Sequence, residues 1–274
     1  MCDTCGCNIT PGNQHLLAAG EPLARTESGA ESVTVLKGLL DANDHQAAHN
    51  REHFDQHQVV AINLMSSPGA GKTTLLETTI ERLGGEFNIA VVEGDLETEN
   101  DAVRIRAKGV PAIQITTGNA CHLDAHMVHD ALHQLDLDAL DIVFIENVGN
   151  LVCPASFDLG QHKNVTLLSS PEGDDKPAKY PVMFRASDLL LLSKSDLIDV
   201  LGDFDPDKAV RHLRELANAA PAITLSGRSG AGVDKWIDWL QQQVADCRRR
   251  VSGGEIVRPT IQPDAVELHS SPSS

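Results

Sequence analysis

The amino-acid sequence predicts an α/β protein: a doubly wound, mostly parallel sheet flanked by helices, with a flexible metal-binding tail in front of it. Three observations carry that expectation. Short apolar runs alternate with helical patterns from about residue 59 to residue 246, as in a parallel sheet covered on both faces. A glycine-rich segment, SSPGAGKT (66–73), lies where the first of those runs gives way to a helical pattern. Cys2, Cys5 and Cys7 stand ahead of the alternation altogether, in the opening MCDTCGC.

In chain order, residues 8–32 are rich in Gly, Pro, Asn, Ser and Glu and lack sustained periodicity. Residues 1–34 therefore read as a flexible segment that carries the cysteine motif. Residues 35–58 form a leading helix. A buried strand follows at 59–65, and further strands are expected at 89–92, 112–116, 142–145, 165–168, 189–192 and 222–225. Helical patterns occupy 73–83, 122–135 and 206–216, with a last one at 233–244. The main domain thus spans 59–246, and 247–274 has the composition of a disordered tail.

With 274 residues, 41% of them hydrophobic, the chain can bury one large core. A net charge of −17 and only 3% aromatic residues disfavour nucleic acid and anionic membrane as partners. No run approaches the roughly 18 apolar residues of a membrane span, and no signal peptide is visible. The expected compartment is the reducing cytoplasm, where six cysteines serve as metal ligands, reactive thiols or core residues rather than disulfides. Cys247, alone in the last helix, is expected to be a small buried hydrophobe.

The glycine-rich segment has the composition of a phosphate-binding loop. Gly69, Ala70 and Gly71 let backbone N–H groups curl around phosphates, Lys72 reaches the outer phosphates, and Thr73, followed by Thr74, offers a hydroxyl to Mg²⁺. Ser66 takes the place of the usual first glycine. Asp95 in VVEGD and Glu146 in FIENVG end strands at the same sheet edge, where a carboxylate meets Mg²⁺ or the attacking water. Gly149 suits a backbone N–H that senses the γ-phosphate. In LLSKSD, Asp196 can accept from both N1–H and the 2-amino group of guanine, which argues for GTP over ATP, with Lys194 beside it. Ser193 replaces the commoner asparagine, at the cost of a supporting hydrogen bond. Ser226 and Gly227, after the last strand, close the other side of the base. All these stretches lie at carboxyl ends of strands, where open α/β sheets bind ligands. The fold expected is that of a P-loop NTPase.

Cys121 and His122 open the helical pattern after the third strand, and Cys153 follows Gly149 by four residues. A cysteine–histidine pair with a second cysteine is a soft donor set for Ni²⁺ or Zn²⁺. A helix N-terminus at Cys121 would favour the thiolate. His45, His49, His53 and His57 recur every fourth residue along one helix face. With no acidic or thiol partner fixed opposite them, they read as a solvated face rather than an auxiliary metal stripe. His129 and His133 read as surface, and His126 as an outer ligand at most.

Taken together, NREHF (50–54), SSPGAGKTTLLE (66–77), VVEGDLETENDA (91–102), GNACHLDA (118–125), ENVGNLVCP (146–154), EGDDKPAKYP (172–181) and LLSKSDL (191–197) resemble the nickel-incorporation GTPases of nickel–iron hydrogenase maturation. The resemblance covers essentially all of residues 36–245. It implies a metal-handling GTPase that dimerises on GTP; with no obvious catalytic glutamine or arginine finger in the sequence, slow intrinsic turnover is expected. It further implies passage of Ni²⁺ to the hydrogenase large subunit with a small zinc-binding accessory protein. It also implies that Cys2, Cys5 and Cys7 form a tight nickel site, completed by the terminal amine and separate from Cys121, His122 and Cys153.

Overall fold

The computed structural model describes residues 30–95, 99–118 and 120–254. Cys2, Cys5, Cys7, the rest of residues 1–29 and the last twenty residues of the tail lie outside that range.

The helix α1 (Ala30–Gln56) leads into β1 (Val60–Ser66), α2 (Lys72–Leu83), β2 (Ile89–Asp95) and α3 (Asn100–Arg106). Next come β3 (Ala112–Thr116), α4 (Ala125–Leu132), β4 (Ile142–Glu146) and β5 (Lys163–Ser169). Two short helices, α5 (Lys176–Lys179) and α6 (Pro181–Arg185), precede β6 (Leu189–Ser193). Then α7 (Ile198–Leu201), α8 (Pro206–Glu215), β7 (Ala222–Thr224) and α9 (Val233–Ser252) complete the described chain. The seven strands pair in the order β3-β2-β4-β1-β5-β6-β7, every pair parallel. The central strand β1 lies between β4 and β5, so the chain crosses over it between those two strands. That crossing makes a crevice at the carboxyl edge.

Alternation along β1 divides the core. Val60, Ile62 and Leu64 pack with Leu75 and Ile80 of α2 and Trp236, Leu240 and Val244 of α9. Ala61 belongs to the opposite face, with Phe54 of α1 and Met127, Val128 and Ala131 of α4. A third group joins Met65, Leu168 and Leu190 to Met183, Phe184 and Leu213 of α6 and α8. Several buried polar side chains are paired. Trp236 donates to Thr79 Oγ1 at 2.8 Å, and Arg51 lies 2.7 Å from buried Asp158. Asn63 donates to Asn164 Oδ1 at 3.0 Å and accepts from Asn147 at 3.3 Å. Such pairing is what allows polar groups inside a close-packed core.

Four expectations change. The leading helix starts at Ala30 rather than residue 35. The last helix runs to Ser252, past residue 244, so residues 247–252 are not tail: Cys247 is buried in the core, Arg248 pairs with Asp141 at 2.5 Å, and Arg250 pairs with Asp55. The helix after β3 starts at Ala125, not at residue 122, because Asp124 caps it and accepts from Met127 N–H at 2.8 Å. Cys121 and His122 therefore precede the helix and gain nothing from its N-terminus. Finally, the histidine stripe is not simply solvated. Against it stand His129 and His133 from α4 and its C-cap, with His49 and His129 ring centroids 5.2 Å apart, while Asp138 takes a 2.7 Å bond from His57.

Candidate functional site

The loop between β1 and α2 turns through Gly69 and Gly71, whose φ values of 72° and 99° are in the left-handed region that favours glycine. Lys72 is buried at the start of α2 and donates to Ser66 Oγ at 3.1 Å, so the serine that replaces glycine holds the lysine. Ser67 donates to Glu172, which also accepts from Ser169 N–H at 2.9 Å. The Ala70 carbonyl accepts from Ser193 Oγ at 2.8 Å. Ser193 thus keeps a supporting bond that its substitution for asparagine was expected to cost, and it ties the base-side strand to the phosphate loop.

Thr73 Oγ1 donates to Glu146 Oε1 at 2.9 Å. Glu146 lies with Glu93 and Asp101 in a group whose nearest carboxylate oxygens are all within 4.8 Å of one another. Burial, then the neighbouring charges of Glu146, Asp101 and Asp95, pushes the Glu93 pKa up to about 8. Burial raises Glu146 to about 7, against the pull of Lys72 and Thr73. One oxygen of each, Glu93 Oε2 and Glu146 Oε2, is buried without a hydrogen-bond partner. Two crowded carboxylates with orphaned oxygens, beside a threonine hydroxyl and the phosphate loop, fit a hard divalent cation. Asp95, at the end of β2, is not one of that group.

On the base side, Lys194 has left-handed backbone angles (φ 56°, ψ 41°), and its side chain passes over the loop near Gly71. Ser195 N–H donates to Leu225 O at 3.1 Å, joining the Asp196 turn to the segment before Ser226. Gly227 O accepts from Thr78 of α2 at 2.8 Å. Asp196 itself is exposed, as a carboxylate that reads an entering base should be.

Cys121 Sγ and Cys153 Sγ lie 3.0 Å apart and form no disulfide; Cys121 Sγ is 3.9 Å from His122 Nδ1. His122 is fully buried and stacks on Phe157 at 3.9 Å between centroids. Burial lowers its pKa to about 4, so it is a neutral imidazole, and its Nε2 has no hydrogen-bond partner. Two thiolates bound at about 2.3 Å to one ion lie roughly 3.3–3.8 Å apart, so a small opening of the sulfur pair accommodates a metal.

A single segment, 146–153, links the two halves. Glu146 faces Thr73. A Cβ on Gly149 would lie 2.7 Å from Pro68 Cα, so this glycine rests directly on the phosphate loop. Asn150 N–H donates to Ser66 O at 2.8 Å, its side chain donates to Cys121 O at 3.4 Å, and it accepts from Val152 N–H at 2.7 Å. Cys153 follows at once.

Residues 60–224 match the CobW/HypB/UreG nucleotide-binding domain family. The chain belongs to that family. Within it the chain sits with the HypB hydrogenase maturation factors. It is 51% identical over 217 residues to that factor of Azotobacter chroococcum, covering 79% of this chain and 70% of the relative. It is 52% identical over 205 residues to that of Escherichia coli, covering 75% and 70%. A crystal structure of HypB from Helicobacter pylori in complex with nickel is 42% identical and superposes with a TM-score of 0.72, covering 75% of this chain and 96% of that one. HypB from Archaeoglobus fulgidus is 39% identical with a TM-score of 0.70, covering 75% and 100%.

In this HypB-type chain the geometry gathers Lys72, Thr73 and Glu146, the loop residues Gly69 to Thr74, and Gly149 around one cradle. It brings Ser226 and Gly227 toward the Asp196 turn and collects Cys121, His122 and Cys153. Sequence reasoning missed Glu93 and Asp101 as partners of Glu146, Glu172 as the clamp on Ser67, and Asn150 as the bridge. For Glu93 a signal existed: a lone carboxylate inside a buried apolar strand asks for a partner. For Asn150 and Glu172 none did, because their partners are set by tertiary contact.

Proposed function

We propose that the protein is a GTP-hydrolysing nickel metallochaperone that binds Ni²⁺ and delivers it, in a nucleotide-dependent manner, to the large subunit of a nickel–iron hydrogenase in the cytoplasm. The observation that carries the reading is the continuity of segment 146–153, which touches the phosphate loop at one end and supplies a thiol to the Cys121–His122–Cys153 group at the other. The resemblance to a HypB solved with nickel supports nickel as the cargo.

In the proposed reaction, the N–H groups of residues 69–74 and the Lys72 ammonium bind the β- and γ-phosphates and stabilise the charge that develops as water attacks phosphorus. Asp196 accepts from guanine, Lys194 lies along the base, and Ser226 and Gly227 close its far side. Thr73 and Glu146, with Glu93 and Asp95 in outer roles, would hold Mg²⁺, which when bound with GTP neutralises phosphate charge. Among the described residues no catalytic glutamine or arginine finger is evident, and slow unassisted turnover is part of the proposal.

At the cargo site two thiolates and the His122 nitrogen leave a ligand position open, suited to exchange of Ni²⁺ or Zn²⁺. Val152, next to Cys153, is 45% exposed, which favours completion of the site across a GTP-dependent homodimer. A small zinc-binding accessory protein is the proposed partner in transfer. Cys2, Cys5 and Cys7 are the proposed tighter nickel site.

The test uses a full-length chain with Cys2, Cys5 and Cys7 changed to alanine. Competitive Ni²⁺ titration is run with GDP and with a non-hydrolysable GTP analogue. Coupling of about 5- to 150-fold between the two nucleotide states is expected, and Cys153→Ala removes it. Equal affinities in both states would make the cysteine site structural and refute nucleotide-dependent delivery.

A further inference from the structure

Away from the nucleotide and cysteine sites, imidazoles gather in the seam between α1 and α4. His49 and His53 ring centroids are 4.5 Å apart, His49 and His129 5.2 Å, His53 and His129 5.8 Å, and His129 and His133 4.5 Å. The Nε2 atoms of His129 and His133 lie 3.0 Å apart. Two nitrogens about 2.1 Å from one ion in adjacent positions lie roughly 3.0–3.4 Å apart, so this pair already has ligand spacing.

The protonation pattern is fixed by neighbours. Asn50 Nδ2 donates to the carbonyls of Ala125 at 2.8 Å and Leu159 at 3.1 Å, which orients its amide and leaves Oδ1 as an acceptor. His129 Nδ1 is 3.0 Å from that oxygen and must donate to it. His129 Nε2 therefore carries a lone pair directed at His133. A histidine whose other nitrogen donates to a fixed oxygen is oriented as metal-binding histidines are. The same pairing recurs at His57, whose Nδ1 lies 2.7 Å from Asp138 Oδ1. A cleft of about 260 Å³, lined by His53, His57, His133, Asp136 and Asp138, opens beside the pair and gives it access to solvent.

A contrasting group shows what a structural cluster looks like. Asp55, His162 and Cys247 have one ligand atom each within 4.8 Å of one another, close enough to share an ion. There, however, His162 Nδ1 accepts from Ala61 N–H at 2.9 Å and Nε2 faces Asp55 at 2.9 Å, so neither nitrogen is left for a metal.

We propose that the α1–α4 seam is a further transition-metal site for Ni²⁺ or Zn²⁺, anchored by His129 and His133 from one helix and supplied with a third ligand by His49 or His53 from the other. Imidazole donors suit both ions. The site shares no residue with the nucleotide cradle or the Cys121–His122–Cys153 group, so it stands or falls separately from the proposed delivery function.

The test is a Ni²⁺ titration of the full-length chain with Cys2, Cys5, Cys7, Cys121 and Cys153 changed to serine, using a chromophoric competitor and no other metal. One equivalent is expected to remain bound, without sulfur-to-nickel charge-transfer absorption. Adding His129→Gln and His133→Gln should weaken it by at least about tenfold, and His49→Gln with His53→Gln by about tenfold. GTP binding and circular dichroism establish that each variant is folded. Should the five-cysteine variant not fold, the unsubstituted protein is compared with its His129→Gln/His133→Gln form: loss of one equivalent with unchanged sulfur-to-nickel absorption supports the site. No Ni²⁺ bound by the five-cysteine variant, or equal binding with and without His129 and His133, overturns it.

Discussion

Gly149 shows how little room a single residue can have. The backbone of Pro68 stands 2.7–2.8 Å from where its Cβ would be, and backbone cannot swing aside as a flexible side chain can. Gly149→Ala should cost about 1–3 kcal/mol of stability and weaken GTP about tenfold, measured by denaturant melts and nucleotide titration; wild-type affinity would mean the loop yields freely. Glu93 and Glu146 make a second prediction. Both are neutral in the metal-free fold at pH 6 and ionise through about 8 and about 7, whereas in the unfolded chain they ionise near about 4.3. Raised folded pKa values mean their contribution to stability is full below the unfolded value and is lost as pH climbs through the folded values. Metal-free protein should therefore melt lower at pH 8.5 than at pH 6. Glu93→Gln, or Mg²⁺ with GTP, should flatten that slope; an unchanged slope in Glu93→Gln would locate the titration elsewhere. Lys72, Thr73, Glu146 and the Cys-His-Cys set were legible in the sequence because each sits in a stretch whose composition is dictated by chemistry. Glu93 was hidden because one carboxylate in a strand says nothing of which neighbouring strand brings the second.

Elements were legible wherever a strand lay inside an apolar run, as in β3, whose bounds agree with the expectation of 112–116. They were not where polar contacts extend or cut an element. The end of α9 is the clearest case: CRRR looks like the start of a solvated tail, yet Cys247 is buried and Arg250 reaches Asp55 on α1. Burial alone would raise the Asp55 pKa, but hydrogen bonds from His162 and Arg250 more than offset it and hold the carboxyl well below the usual range. Arg250→Ala should cost about 1–3 kcal/mol, or roughly 2–4 °C of melting temperature per kcal/mol for a domain of this size. Ending the chain at Asp246 should cost more, because it also strips Cys247 from the core. An unchanged melting temperature in the truncated protein would return residues 247–252 to the tail.

At the scale of the whole molecule, the proposed nickel site at Cys2, Cys5 and Cys7 and the proposed Cys121–His122–Cys153 site are separated in the sequence by a segment that the repeating α/β pattern does not include. Changing Cys2, Cys5 and Cys7 to alanine should remove the proposed tighter Ni²⁺ affinity and leave GTP hydrolysis within about twofold, since the residues proposed for phosphoryl transfer all come from Gly69 onward. Unaltered tight binding in that variant, by competitive titration, would assign the affinity to the folded domain. The strand order has another consequence, for the making of the protein. The strand β1 leads into the phosphate loop, but both its neighbours come later in the chain, β4 from Ile142 and β5 from Lys163. The loop's clamps come later still, at Glu172 and Ser193. Chains grow from the N-terminus and non-local pairings form late. A ribosome that stalls before β5 therefore releases a fragment with the phosphate-binding sequence complete, the central strand's edge unpaired, and no means of holding nucleotide.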